Sequence, residues 1–260
     1  MQYDHSRKAG NRGDVWKHFT LVSVSERIPV HSAFRYFESH SGAPVHSLRP
    51  GGEWESGIEN TLRSCTALRE HPYLREASRF VKERRYPAGW WFVANQLASR
   101  VSDLTVDLTD TAETVAEQYR EIHAIIPAPN VAVQFNHADG FARIQTGIKA
   151  DLVFIDPPFH PDADADWKAL GKACNRLLRQ DISFLVWYPL YWHTKPQVLS
   201  DTTGCRAWEI IWSEFGAKPS QNLKGCGMLA SPDLSGLSIN ADLQNLSQCL
   251  DGSFQRRDPS

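Results

Sequence analysis

No stretch of this 260-residue chain approaches the roughly 18 consecutive apolar residues that a membrane-crossing helix needs. The polar opening MQYDHSRKAGNRGD also lacks the apolar segment of a secretory leader, so a soluble, cytoplasmic protein is expected. Five cysteines, at 65, 174, 205, 226 and 249, include no CxxC pair, which argues against a zinc knuckle or a disulfide framework and predicts reduced thiols. No internal repeat or low-complexity block occurs. At 42% hydrophobic residues the chain can bury one substantial core, and a single domain spanning 1–260 is expected, with room for a small insertion. Charge of one sign is scarce too: the formal net charge of −2 gives no global attraction to nucleic acid, which would have to be met by local patches. Two exist. Residues 1–18 carry Arg7, Lys8, Arg12 and Lys17 against Asp4 and Asp14, and residues 69–85 carry six Lys or Arg against three Glu. Each alone reads first as a solvated face.

What is present is an alternation of strand and helix patterns. AFRYFE (33–38) predicts a first strand, followed by the small-residue turn SHSGAP. From 54 to 85 the pattern predicts two helices broken near His71 and Pro72 with no strand between them, an insertion over about 53–86. Helices are expected over 90–100, 113–126 and 166–179, and strands over 103–109, 131–135, 152–155, 182–189 and 206–215. Mostly apolar strands alternating with helices indicate a doubly wound α/β fold with a largely parallel sheet. The polar end, about 251–260, is expected to be a mobile tail.

The most informative stretch is LVFIDPPF (152–159). Four apolar residues closed by a strong breaker read as a strand buried on both faces, with Asp156 at its C-terminal edge, where open α/β sheets bind ligands. An exocyclic amine on a base is a poor nucleophile because its lone pair is delocalised into the ring. A carboxylate (Asp156) and a backbone carbonyl (Pro157) that accept both N–H bonds can draw that nitrogen towards a tetrahedral form, and Phe159 offers a face for base stacking. A proline-rich turn with a capping Asp is the plainer alternative. Asp107 and Asp139 are expected at the ends of the second and third strands, where one could bond ribose hydroxyls and the other an adenine amino group, although each could also be a turn cap. The single glycine of SHSGAP does not match GxGxxG. Tyr3, His5, Lys17 and His18 crowd into an N-terminal segment that reads as a lid over 1–18 or as a basic arm. His5, Asp14 and His18 match no defensible ligand spacing, so no metal is expected.

These motifs resemble those of the bacterial 23S ribosomal RNA adenine-N6 methyltransferase family. The pieces stand in family order: Tyr3, His5, KAGN (8–11), Asp14-Val15 and Lys17-His18; then SHSGA (39–43), RYP (85–87), ADGF (138–141), IDPPF (155–159), WYP (187–189) and GCGML (225–229). The resemblance implies a class I methyltransferase fold, Rossmann-like, with a mostly parallel seven-stranded sheet and a small helical insertion. It implies S-adenosylmethionine as cofactor and ribosomal RNA, before full subunit assembly, as partner, with no obligate protein partner. It implies catalysis by Asp156, Pro157 and Phe159, substrate contact by Tyr3, His5 and Lys17, and cofactor contact by His18, Ser39, His40, Ser41, Gly42, Asp107, Asp139 and Gly140. Four departures stand out: Asp4 replaces an arginine, SHSGAP replaces THAGAG, Gly89 in YPAGW replaces the serine of YPGSP, and DPPF replaces DPPY. A DNA adenine methyltransferase and a non-catalytic RNA-binding protein on the same scaffold remain as rival readings.

Overall fold

The computed structural model describes residues 7–159, 164–191, 204–213 and 223–258. Tyr3 and His5 therefore lie outside the described residues.

The first element is α1 (Arg12–Arg27), and it corrects the expectation of a lid reaching to residue 18. Asn11 caps the helix by accepting from the Asp14 N–H, and Val15, Trp16, His18, Phe19, Leu21, Val22 and Val24 are all buried. A helix enclosed on nearly every side cannot be a mobile cover. Its buried hydroxyls are satisfied within the helix: those of Thr20, Ser23 and Ser25 donate to the carbonyls of Trp16, Phe19 and Leu21.

After β1 (Ala33–Glu38) the chain leaves the sheet through β2 (Val45–Ser47). It passes through a 3-10 turn at Glu53–Glu55, α2 (Ile58–Ser64), a second 3-10 turn at Thr66–Leu68 and α3 (Pro72–Lys82), and returns in β3 (Arg85–Pro87). β2 and β3 pair antiparallel, so the insertion stands on a short ribbon that the sequence pattern did not reveal. Next come α4 (Gly89–Leu97), β4 (Asp103–Asp110), α5 (Glu113–Tyr119), β5 (Val131–His137), α6 (Gly140–Thr146), β6 (Leu152–Ile155), α7 (Asp164–Leu178), β7 (Ser183–Tyr191), β8 (Arg206–Trp212), β9 (Leu223–Ala230), α8 (Asn240–Cys249) and β10 (Gly252–Arg257). The helix expected over 113–126 stops at Tyr119 and resumes only as a 3-10 turn, Ile122–Ile125.

The sheet order is β10-β8-β9-β7-β6-β1-β4-β5. Among the described residues it has eight strands rather than the expected seven. β1, β4, β5, β6 and β7 run parallel, whereas β9 is antiparallel to both β7 and β8. The extra strand is the expected mobile tail, which pairs with β8 from Gly252↔Trp212 to Arg257↔Ala207. Its alternating, mostly exposed side chains suit a solvated edge. Apolar residues fill both faces of the sheet. No helix among the described residues is long and apolar enough to cross a membrane.

One further correction concerns the thiols. Cys65, at the end of α2, is bonded to Cys249, at the end of α8, across a sequence separation of 184. Nothing in their spacing could have signalled this. Closing so long a loop restricts the unfolded chain by up to about 5 kcal/mol in the chain-entropy treatment. Reduction, or Cys249→Ser, is accordingly expected to lower the denaturant midpoint of unfolding. Equal midpoints for the oxidised, reduced and substituted proteins would show that the two sulfurs are not joined in solution.

Candidate active site

Sheet order reverses at β1 and β6, and the loops that leave their C-terminal ends diverge to form the crevice in which α/β sheets bind ligands. The turn after β1 is fastened to both neighbouring strands. Ser39 N–H donates to the Phe154 carbonyl (3.0 Å), Ser41 N–H to the Thr109 carbonyl (2.9 Å), and Gly42 N–H to Asp110 Oδ2 (3.0 Å). Gly42 has φ +60, so the turn's single glycine stands where a side chain would be strained. Gly140 opens α6 directly against this turn: a Cβ there would lie 2.0 Å from the Ser39 carbonyl oxygen. Asp139 is the N-cap of that helix, accepting from the Ala142 N–H at 2.9 Å. The Ser41 hydroxyl is buried without a hydrogen-bond partner; it lies close to the phenol of Tyr119, whose pKa burial raises.

Asp156 leaves β6 at the same edge and meets α1. Lys17 Nζ lies 2.8 Å from Asp156 Oδ2 and 2.8 Å from Asp14 Oδ1, and Asp14 Oδ2 accepts from the Gly10 N–H at 2.9 Å. Burial alone would discharge Lys17 and Asp14. The ion pairs win: Lys17 is held above its ordinary value by Asp14 and Asp156, and Asp14 is held below its own by Lys17. Trp187 covers the ammonium, its ring centroid 5.9 Å from Nζ. Phe159 completes an aromatic wall, 4.6 Å from Trp167 and 6.0 Å from Trp187 between ring centroids.

The structure thus brings together Lys17, Ser39, His40, Ser41, Gly42, Asp139, Gly140, Asp156, Pro157 and Phe159 on one edge. Asp107 is different. It does not end its strand: β4 continues to Asp110, and Asp107 sits beside Phe37 and Gln134 within the sheet, held by Arg143 (2.7 and 2.9 Å) and Asn136 (2.8 Å). Asp110 is the acid at the strand end, and it already grips the turn through Gly42. His18 is buried; its Nδ1 bonds the Tyr86 hydroxyl (2.9 Å), which meets the Tyr73 hydroxyl (2.8 Å). Burial and the neighbouring Lys17 push its pKa down to about 3, so the ring is neutral. A Cβ on Gly89 would lie 3.2 Å from His18 Nε2, so the backbone of this glycine packs closely on the ring.

Sequence reasoning also missed Glu38, the last residue of β1. It is 3% exposed and accepts from the Tyr36 hydroxyl at 2.7 Å. Burial, reinforced by the charge of Asp156, raises its pKa to about 8, so it holds a proton at neutral pH at the C-terminal end of β1. An acid closing an otherwise apolar strand just before a small-residue turn was the available signal.

No family model matches the chain. Over 246 residues it is 26% identical to the ribosomal RNA large subunit methyltransferase J of Haemophilus influenzae, covering 86% of this chain and 83% of that protein. Its likeness to the protein of the same name from Escherichia coli is 22% over 239 residues, with the same shares covered. These relatives are ribosomal RNA methyltransferases. Among solved structures, a Legionella pneumophila protein superposes with a TM-score of 0.79 at 21% identity, covering 97% of this chain and 98% of that one. A probable spermidine synthase from Corynebacterium glutamicum superposes with a TM-score of 0.54 at 10% identity, covering 100% and 78%. The fold is that of the Legionella protein over nearly the whole chain.

Because the folded pKa of Glu38 is raised from 4.5 to about 8, its contribution to stability is full below about pH 4.5 and is lost as pH rises through about 8. Glu38→Gln keeps the polar contact with Tyr36 but cannot ionise. The variant is expected to gain on the wild type by a few kcal/mol between pH 5 and 9, measured by thermal unfolding. A stability difference that stays constant with pH would show that Glu38 does not take up the proton.

Proposed function

We propose that this protein transfers a methyl group from S-adenosylmethionine to the exocyclic N6 of an adenosine in 23S ribosomal RNA, acting on the RNA before subunit assembly is complete. The observation that carries the reading is the fixed position of Asp156: a strand-end carboxylate at the switch point, tethered by Lys17 and followed by two prolines and an aromatic ring. The names of the sequence relatives favour ribosomal RNA over DNA.

The cofactor fits the residues present. The close packing of Gly140 on Ser39, the buried hydroxyl of Ser41 without a partner and the left-handed turn at Gly42 put small side chains and one unsatisfied polar group at the switch point. We assign the cofactor to Ser39, His40, Ser41, Gly42, Asp139 and Gly140, with Asp110 in place of Asp107 as the ribose acid, Glu38 at the inner end and neutral His18 beneath. When bound, S-adenosylmethionine supplies a methyl group activated on a sulfonium, so the protein has chiefly to position the amine and exclude water. Lys17 holds Asp156 Oδ2, which leaves Oδ1 to accept an N–H of the adenine amine. The Pro157 carbonyl accepts the second N–H. Phe159, braced by Trp167 and Trp187, stacks on the withdrawn base. Tyr3 and His5 are assigned to the target base on the resemblance alone.

Single-turnover methyl transfer at saturating cofactor tests this directly. Asp156→Ala is expected to slow transfer to a 23S ribosomal RNA fragment by about 100-fold or more, because the lost interaction is concentrated in the transition state, while cofactor affinity stays within about twofold. Transfer at the wild-type rate would reduce Asp156 to a turn cap. Wild-type transfer to duplex DNA but not to RNA would favour the DNA reading, and no transfer to either would leave a non-catalytic scaffold.

A further inference from the structure

We propose that the outward stripe of α3, together with the turn at its C-terminal end, is the surface that docks the phosphate backbone of the RNA substrate; this rests on the methyl-transfer reading above. In α3 the three fully exposed side chains, Arg75, Arg79 and Lys82, are all cationic. Their spacing of i, i+4, i+7 aligns them in one row about 10 Å long. The helix's single acid, Glu76, faces inward at 6% exposure, bonding Arg79 at 2.9 Å and Arg75 at 3.5 Å. Within the helix the carboxylate is thus inside and the cations outside; in the turn that follows, the exposed Glu83 is paired with Arg85 at 3.7 Å. Each contact uses one of the five N–H groups a guanidinium carries, and it orients the rest towards solvent.

The macrodipole of α3 accounts for Arg79 and Lys82, which lie in its last turn, but not for Arg75 or Arg84. Arg84 sits just past the C-terminal end with φ +54, a left-handed position that glycine fills at least cost. Its guanidinium lies over the Trp54 ring at 4.8 Å, and the Trp54 indole is itself fixed by donating to the Arg49 carbonyl at 2.7 Å. An arginine kept in a strained backbone position and braced by an aromatic ring is an outlier that points to use rather than to stability.

The stripe is also rigidly tied to the site. The insertion departs from the turn at Pro44 and returns at Ala88, whose N–H donates to the Pro44 carbonyl at 3.1 Å. Ile58 N–H donates to the Gly10 carbonyl at 2.9 Å, and a Cβ on Gly57 would lie 2.1 Å from that same oxygen. The insertion is therefore locked to the segment that leads into Asp14 and Lys17. With a net charge of −2, the molecule as a whole offers a polyanion no attraction, and a local row of cations must supply it.

Lys82 and Arg84 take no part in the Glu76 contacts, so Lys82→Gln combined with Arg84→Gly removes two of the four cations without exposing a buried charge. For a 23S ribosomal RNA fragment, the double variant is expected to bind about tenfold more weakly at 0.1 M salt. Its dependence of log affinity on log salt should be flatter by about 1.4–1.8. Cofactor affinity should not change, and the melting temperature should be equal or higher because glycine suits the left-handed position. Arg35→Gln with Lys149→Gln, an equal charge change at the N-terminal half of β1 and before β6, should bind RNA as the wild type does. A wild type that binds the RNA while the Lys82/Arg84 variant matches it in affinity and salt slope overturns the docking surface alone. Equal losses in both double variants overturn it as well. A wild type that binds no ribosomal RNA overturns it together with the function on which it rests.

Discussion

The arrangement depends on one cation between two carboxylates. Lys17 Nζ stands 2.8 Å from both Asp14 and Asp156, with side-chain exposures of 14%, 21% and 19%. Taking such groups from water costs several kcal/mol each, and breaking a buried pair leaves a charge uncompensated. The bridge therefore forces an alignment: α1 must lie against the end of β6, and the proline loop cannot drift from it. The depressed pKa of Asp14 contributes stability above the ordinary carboxylate range, lost as pH falls through its folded value; the raised pKa of Lys17 contributes stability below its ordinary value, lost only in strong alkali.

The other parts hang on that alignment. The same α1 residues that carry Lys17 carry His18, whose ring is stacked on Tyr86 at 5.6 Å, so the insertion is packed on the helix that holds the candidate catalytic carboxylate. Gly140 and Gly42 admit the turn after β1 where any larger residue would collide or strain. The proposed cofactor site and the proposed docking row thereby stand on one frame, one from small residues, the other from arginine and lysine.

Much of this is legible in the sequence. The buried strand 152–155, the carboxylate after it and the small-residue turn after 33–38 are readable because short apolar runs closed by breakers have few other meanings. The features that escape such a reading do so for physical reasons. Helix α1 is buried on nearly all sides and so shows no amphipathic period, and its polar residues look like those of a tail. Strand β9 holds Gly225 and Gly227, which weaken a strand pattern; the structure explains them, since side chains there would meet the Ile210 carbonyl at 1.9 Å and the Tyr188 ring at 2.3 Å. Strand β10 has a solvated edge with little apolar content, and the Cys65–Cys249 bond joins residues that no local pattern relates. Asp107 reads as the strand end because DLTVDLTD offers two acids three residues apart, and only the pairing register separates them.

The most direct test of the bridge is a double-mutant cycle in unfolding free energy between Lys17→Met and Asp156→Asn at neutral pH and low salt. Residues joined across a buried charge bridge are expected to show a coupling of about 1.5–3 kcal/mol. A coupling within about 0.3 kcal/mol of zero would mean that Lys17 does not hold Asp156 and that the strand-end carboxylate is positioned by something else.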